Sequence, residues 1–235
     1  MKVGIIIITT GQYKQFAQPL IKSIDEYFLT GHDKTIFLFT DEQQELKSCS
    51  TIKQIIIPSF KFPEVTLRRY WMITSSAELM KECTHLFYLD ADSLVVSVVG
   101  DEILVDGLLA TSHPGYHVSK LWGDSNNPET STSFLPTELR KQYVCGGFQG
   151  GESKLYLDVA ELLTINIITD INNVVQAEWH DETFWNYAVH HTTNVTILDP
   201  SYMMPQQTHL RKLWGIDNFA PKILALEKNH NEIRQ

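Results

Sequence analysis

Residues 3–8 read Val-Gly-Ile-Ile-Ile-Ile, an unbroken apolar and mainly β-branched run. A strand with one wet face alternates polar and apolar side chains. This run does not alternate, so both of its faces must be covered. It is too short to span a bilayer or to form the apolar core of a signal peptide, so the covering layers are protein. The chain that follows agrees. Thr9-Thr10-Gly11 breaks the run, and Phe16, Leu20, Ile24 and Phe28 then recur every four residues, which predicts a helix over 13–28. Residues 34–39 and 52–57 are two further strands, the second stopped by Pro58. Residues 68–82 read as a helix and 85–89 as a fourth strand. Strands alternating with helices imply right-handed crossovers and a mainly parallel, Rossmann-like sheet of the α/β class. Neither G-x-G-x-x-G nor G-x-x-x-x-G-K-[ST] follows the first strand, which disfavours dinucleotide oxidoreductases and P-loop enzymes.

The fourth strand ends in Asp90-Ala91-Asp92. In open α/β sheets ligands sit beyond the carboxyl ends of the strands, where this pair falls. The two side chains follow the strand period, so the carboxylates point the same way. Hard oxygen ligands of this kind suit Mg²⁺ or Mn²⁺, which keep open positions that substrate phosphates fill. The reading is therefore an enzyme that holds a sugar nucleotide by its diphosphate. Taken alone, the tripeptide reads equally well as a solvated turn.

The second half is less regular. Residues 112–142 are rich in Ser, Thr, Asn, Pro and Gly and predict long loops over a site. Residues 143–151 (YVCGGFQGG) form a glycine-loaded strand, 154–166 a helix and 195–198 a late strand. Asp181 and Glu182 suit the first turn of a helix that follows Trp179-His180.

The formal net charge of −9 argues against nucleic acid as a partner. Cys49, Cys83 and Cys145 are widely spaced and form no C-x-x-C, so neither a disulfide framework nor a zinc site is expected. With no signal peptide or membrane segment in the sequence, the expectation is a soluble, cytoplasmic protein.

Seven segments in order resemble glycosyltransferase family 6, the family of the histo-blood-group A and B transferases and the α1,3-galactosyltransferase. They are Thr9-Thr10-Gly11-Gln12-Tyr13, Leu67-Arg68-Arg69, Leu89-Asp90-Ala91-Asp92, Ser112-His113-Pro114-Gly115-Tyr116, residues 143–151, Ala177-Glu178-Trp179-His180-Asp181-Glu182 and Lys228-Asn229-His230-Asn231-Glu232-Ile233-Arg234. The W-H-D-E and H-P-G pieces are the most specific.

The resemblance implies a single GT-A domain, with residues 1–95 as its nucleotide-binding half and 96–235 as a mixed, acceptor-binding and catalytic half. It implies retaining transfer of galactose or N-acetylgalactosamine from a UDP-sugar to a galactoside or fucosylated galactoside, making an α1,3 link. On matching positions Asp90 and Asp92 would hold Mn²⁺, or Mg²⁺, with the diphosphate. Thr9, Thr10, Gly11 and Tyr13 would hold the uracil end. Arg69, Ala91, Cys145, Gly146, Gly147, Asp181, Lys228 and Arg234 would complete the donor site, and His113 and Trp179 would touch the acceptor. Glu182 would lie beneath the anomeric carbon, as a covalent nucleophile or as a stabiliser of an oxocarbenium-like centre that also orients the acceptor. Gly147, lacking a Cβ, leaves room for an N-acetyl group and favours UDP-GalNAc over UDP-Gal.

Outside the resemblance these residues have plainer readings: Trp179 as core, Asp181 and Glu182 as first-turn helix acids, Lys228 and Arg234 as a fraying terminus. The chain also departs from the family pattern. Tyr202-Met203-Met204-Pro205 replaces a stretch carrying Trp and then Asp near the acceptor. Met204 and Pro205 supply neither that charge nor those hydrogen bonds, so the acceptor is left open.

Overall fold

The computed structural model describes residues 1–229 and 233. Its centre is a seven-stranded sheet made of β1 (Lys2–Thr9), β2 (Asp33–Thr40), β3 (Thr51–Ile56), β4 (His85–Leu89), β6 (Leu108–Ser112), β7 (Val144–Glu152) and β8 (Val195–Leu198). The strand order is β3-β2-β1-β4-β7-β6-β8. β1, β2, β3 and β4 run parallel, as the strand–helix alternation predicts. β7 is antiparallel to both β4 and β6, which makes the sheet mixed in its second half. The first and second halves of the chain thus share one sheet. A smaller sheet, which the sequence did not announce, joins β5 (Ser93–Val95), β9 (Met204–Pro205) and β10 (Ile223–Ala225).

The apolar run of β1 is buried on both faces. Ile6 and Ile8 pack into one core layer with α5 (Ser153–Asn172) and α6 (Asp181–His191). Val3, Ile5 and Ile7 pack into the other with α1 (Ala17–Tyr27).

The helices differ from expectation where side chains compete with the backbone. Residues 11–16 form a 3₁₀ turn before α1 begins. The helix expected over 68–82 is broken into α3 (Arg69–Ser75) and α4 (Ala77–Met80), and a further short helix, α2 (Glu64–Leu67), precedes it with a break at Arg68. Thr74-Ser75-Ser76 lies at the break between α3 and α4, and the Thr74 hydroxyl donates to the Trp71 carbonyl. Hydroxyls that bond locally in this way weaken a helix interior. α5 runs six residues past the expected end, through Ile167, Ile168 and Ile171. Packing against α3 and α6 and a cap from Glu152, which accepts from the Lys154 and Leu155 N–H groups, outweigh the low propensity of β-branched residues.

Residues 113–143 contain one 3₁₀ turn, Thr137–Leu139, and otherwise loop over the carboxyl ends of the strands, as expected. A short helix, α7 (Thr208–Leu213), precedes β10.

Candidate active site

β4 ends at Leu89, so Asp90-Ala91-Asp92 lies in a turn and not on a strand. The Ser93 N–H donates to the Asp90 carbonyl at 3.0 Å and closes that turn. The expectation that both carboxylates share a direction survives for this different reason: Asp90 and Asp92 line the same cavity, of about 530 Å³. Asp181 and Glu182 line it as well.

Arg69 ties the two acidic segments together. This buried guanidinium sits 2.8 Å from Asp181 Oδ2 and 3.0 Å from Asp90 Oδ1, and donates to the Gly146 carbonyl at 2.8 Å. It also lies 4.0 Å from the centre of the Tyr88 ring. Tyr88 donates its hydroxyl to the same Asp90 oxygen at 2.8 Å, and the Asp90 N–H donates to the Gly147 carbonyl at 2.9 Å. Asp90 is thereby fixed by β4, β7 and α3 together. Burial opposes the Arg69 charge, but Asp181 and Asp90 hold it firmly protonated.

Glu182 is held by two donors. The Gly146 N–H reaches one carboxylate oxygen at 2.9 Å and the Tyr143 hydroxyl the other at 2.9 Å. Burial nonetheless pushes Glu182 up to about 7 and Asp181 to about 6, the latter against the pull of Arg69. Both acids begin α6 directly after His180, whose φ of 52° lies in the left-handed region. A non-glycine residue held there stores strain, which is common where a backbone must aim functional groups. The His180 ring packs edge-on against Phe62, 5.0 Å away, on the cavity wall.

Thr10, Gly11, Tyr13, Ala91, Gly146, Gly147, Trp179 and Lys228 all line the same cavity. Lys228 contacts the Asp92 carboxylate and lies 5.1 Å from the centre of the Tyr13 ring. Burial and Asp90 push Asp92 upward against Lys228, so this corner of the site favours a positive partner. Two hard carboxylates on one wall, one of them drawn toward a cation, fit a divalent metal whose remaining ligands come from phosphate or water. Among the described residues no cluster of three or more His, Cys, Asp or Glu has metal-holding geometry, so such an ion would lean on its substrate.

Three expected site residues do not face the cavity. Thr9 is fully buried, and its hydroxyl accepts from Gln44 Nε2 at 3.2 Å. Cys145 sits under the cavity floor in the core cluster that also holds Phe148 and Met203. His113 stands behind Tyr143, with ring centres 5.7 Å apart, and so reaches Glu182 only through that tyrosine. Burial lowers His113 to about 4, which keeps it neutral. Arg234 lies outside the described residues. Residue reasoning missed Tyr88 and Tyr143, the hydroxyls that orient Asp90 and Glu182. The available signal was their position: Tyr88 directly precedes Leu89-Asp90-Ala91-Asp92, and Tyr143 opens the segment 143–151.

Gly147 is closely packed. A Cβ there would stand 3.0 Å from Asp90 Oδ2 and 3.0 Å from Met203 Cε. A side chain at position 147 would therefore need Met203 or Asp90 to give by a few tenths of an ångström.

The sequence profile described as glycosyltransferase family 6 matches residues 1–235. The chain is 25% identical to the rat histo-blood group ABO system transferase 1 (Rattus norvegicus) over 99% of its length and 68% of the relative's. It is 23% identical to the chicken (Gallus gallus) globoside alpha-1,3-N-acetylgalactosaminyltransferase 1, over 100% of its own length and 69% of the relative's. Identity to the Escherichia coli O-antigen biosynthesis glycosyltransferase WbnI is 22%, covering 88% of this chain and 89% of that one. The mixed α/β sheet is a GT-A-like glycosyltransferase fold. With the profile matching from end to end and the acidic segments meeting in one cavity, the chain belongs to glycosyltransferase family 6.

Proposed function

We propose that the protein is a retaining transferase that moves N-acetylgalactosamine or galactose from a UDP-sugar to the 3-hydroxyl of a galactoside or fucosylated galactoside, forming an α1,3 link. The observation that carries this reading is the shared cavity: Asp90, Asp92, Asp181 and Glu182 all line it, and Arg69 bridges Asp90 to Asp181. The relative that is a globoside alpha-1,3-N-acetylgalactosaminyltransferase supports the sugar and linkage.

In this reading Thr10, Gly11 and Tyr13 form the uracil end of the donor site, and Lys228 turns to the diphosphate when the donor binds. Asp90 and Asp92 would hold Mn²⁺ or Mg²⁺, which when bound supplies Lewis-acid neutralisation of the leaving diphosphate. Asp181, pinned by Arg69, orients donor-sugar hydroxyls. Glu182, held by Gly146 and Tyr143, presents its carboxylate below the anomeric carbon. On the front-face route the acceptor oxygen bonds to that carbon as the bond to the β-phosphate oxygen breaks, and the acceptor proton passes to the departing phosphate. On the covalent route a Glu182 oxygen bonds to the carbon as the phosphate leaves, and the acceptor oxygen then displaces Glu182 while its proton passes to the released phosphate; both routes retain configuration. Trp179 offers its ring to the acceptor sugar.

The test offers UDP-GalNAc and UDP-Gal with Mn²⁺ and follows UDP release, first with water and then with lactose or a fucosylated galactoside. Release that is faster with acceptor and lost with a chelator is the expected result. No release from either donor, with or without cation, would refute the reading.

A further inference from the structure

The tetrapeptide Lys-Leu-Trp-Gly occurs twice, at residues 120–123 and 212–215. The fold brings the two copies together beside His113. A Cβ on Gly215 would lie 3.7 Å from Val118 Cγ1, and one on Gly115 would lie 3.5 Å from Trp214 Cε2 and 3.3 Å from His113 Cε1. The rings of His117 and Phe219 meet edge-on at 5.3 Å. Trp122 turns inward, 5.2 Å from the Tyr143 ring, and so anchors the first copy to the residue that holds Glu182.

The leucines are displayed to solvent. Leu121 is 66% exposed, Leu213 75% and the adjoining Val118 55%. Three large apolar side chains this exposed on one rim mark an interaction surface. Across residues 112–124 and 208–219 the charged residues are Lys120, Arg211 and Lys212 against Asp217 and the buried Asp124, so the exposed charge of the rim is net positive in a chain of net charge −9. Lys120 and Lys212 are both exposed. Lys120 is also held at φ 55°, an unfavourable backbone for a lysine.

Exposed leucines interleaved with lysines fit an anionic bilayer surface, where apolar side chains enter the headgroup boundary and cations meet phosphates. Another apolar stripe, Leu162, Ile165, Ile168 and Ile171 on α5, provides the contrast: it too is exposed, but between Lys154 and the end of that helix there is no cation.

We propose that the two Lys-Leu-Trp-Gly segments form a rim that docks the protein on an anionic lipid bilayer. Resting on the transferase reading, the rim presents the His113 side of the site to glycan acceptors carried on lipid.

The test is flotation of the full chain with vesicles of neutral phosphatidylcholine or of a 2:1 mixture with phosphatidylglycerol, with no donor or acceptor present, so that it is independent of turnover. Binding to the anionic vesicles should exceed binding to the neutral ones about thirtyfold, given roughly 1 kcal/mol for each of the two exposed lysines near such a surface, and should fall as salt is raised. The double variant Leu121→Glu/Leu213→Glu and, separately, Lys120→Glu/Lys212→Glu should each abolish it, whereas Ile168→Glu on α5 should not. Circular dichroism verifies that each variant is folded. The proposal is overturned by equal or absent binding to the two vesicle types, by retention in either double variant, or by a sedimentation mass that halves in the leucine variant, which would make the rim a contact between two copies.

Discussion

The Lys228 ammonium rests on the carboxylate of Asp92, in the corner where a metal-bound diphosphate is proposed to sit. Burial opposes the Lys228 charge, yet Asp92 holds it above the ordinary lysine value. In the proposed reading Lys228 and a divalent cation would compete for the Asp92 carboxylate. Lys228→Ala should then tighten Mn²⁺ binding severalfold in the absence of nucleotide, because one cation no longer competes with another. The same variant should weaken UDP binding in saturating Mn²⁺ about tenfold, the scale of one charge-assisted contact. Calorimetric titrations with Mn²⁺ alone, and with UDP in Mn²⁺, separate the two effects. Weakening in both would contradict a competitive role for Lys228.

Asp92→Asn and Glu182→Gln should part ways. Asp92 lies against the proposed diphosphate site, so its amide should reduce metal-dependent UDP binding tenfold or more while leaving metal-independent binding intact. Glu182 touches neither Asp92 nor Lys228 directly, so its amide should spare UDP affinity and lower kcat by two orders of magnitude or more. Equal losses of UDP affinity in the two variants, read by the same titration, would contradict these assignments.

How much of this was readable from the chain depends on the kind of signal. β1 was legible because a continuous apolar run admits few other fates, and the glycine-loaded β7 because only such a strand lets Gly146 and Gly147 approach Arg69 and Asp90. The antiparallel entry of β7 between β4 and β6 was not legible, since strand direction depends on long connections that carry no period. The helix break at Ser76 and the extension of α5 to Asn172 escaped because local hydroxyls and tertiary packing overrode the periodic pattern. In the site, the residues that carry charge were found by motif. Tyr88 and Tyr143 were missed because their role is to orient other side chains, and a lone tyrosine in or next to a strand reads as core.

Tyr143→Phe should move the pH dependence of turnover. The Tyr143 hydroxyl bond is one of the two contacts that lower the Glu182 carboxyl against the effect of burial, which sets it near 7. Without that donor the carboxyl holds its proton to higher pH. If the reactive form is the carboxylate, the acid limb of kcat should shift alkaline by about half a unit or more, the scale set by losing one hydrogen bond to a charged group. A kcat–pH profile with an unmoved acid limb and a uniformly lower plateau would reduce Tyr143 to a packing role.

The same burial makes a stability prediction with a defined sign. Glu182 and Asp181 titrate higher in the folded chain, near 7 and 6, than an unfolded carboxyl does, so the folded state binds more protons between roughly pH 4.5 and 7. Their contribution to stability is complete below the unfolded values and is lost as pH rises through the folded ones. Glu182→Gln removes the larger of the two burial penalties. It should raise Tm at pH 8 by several degrees, with little change at pH 4, in melts recorded without metal or nucleotide. A gain that is equal at both pH values would mean that proton uptake by Glu182 is not the cause.

Gly147 and Met203 supply the sharpest test of donor geometry. A methyl group at position 147 would meet Asp90 Oδ2 and Met203 Cε, each at 3.0 Å, with Met203 Sδ at 3.2 Å. One neighbour must yield. If Met203, at the end of a flexible side chain, yields, the Asp90 carboxylate keeps its place. If Asp90 yields, the metal-dependent donor site is distorted whichever sugar is attached. Gly147→Ala should therefore lower Mn²⁺-dependent affinity for UDP-GalNAc and for UDP-Gal alike, by about three- to tenfold. Adding Met203→Ala, which empties the space next to the new methyl, should recover most of the loss, so the two changes should be strongly non-additive. A loss confined to UDP-GalNAc would instead mean that position 147 faces the sugar's 2-substituent, and strict additivity would mean that Met203 takes no part.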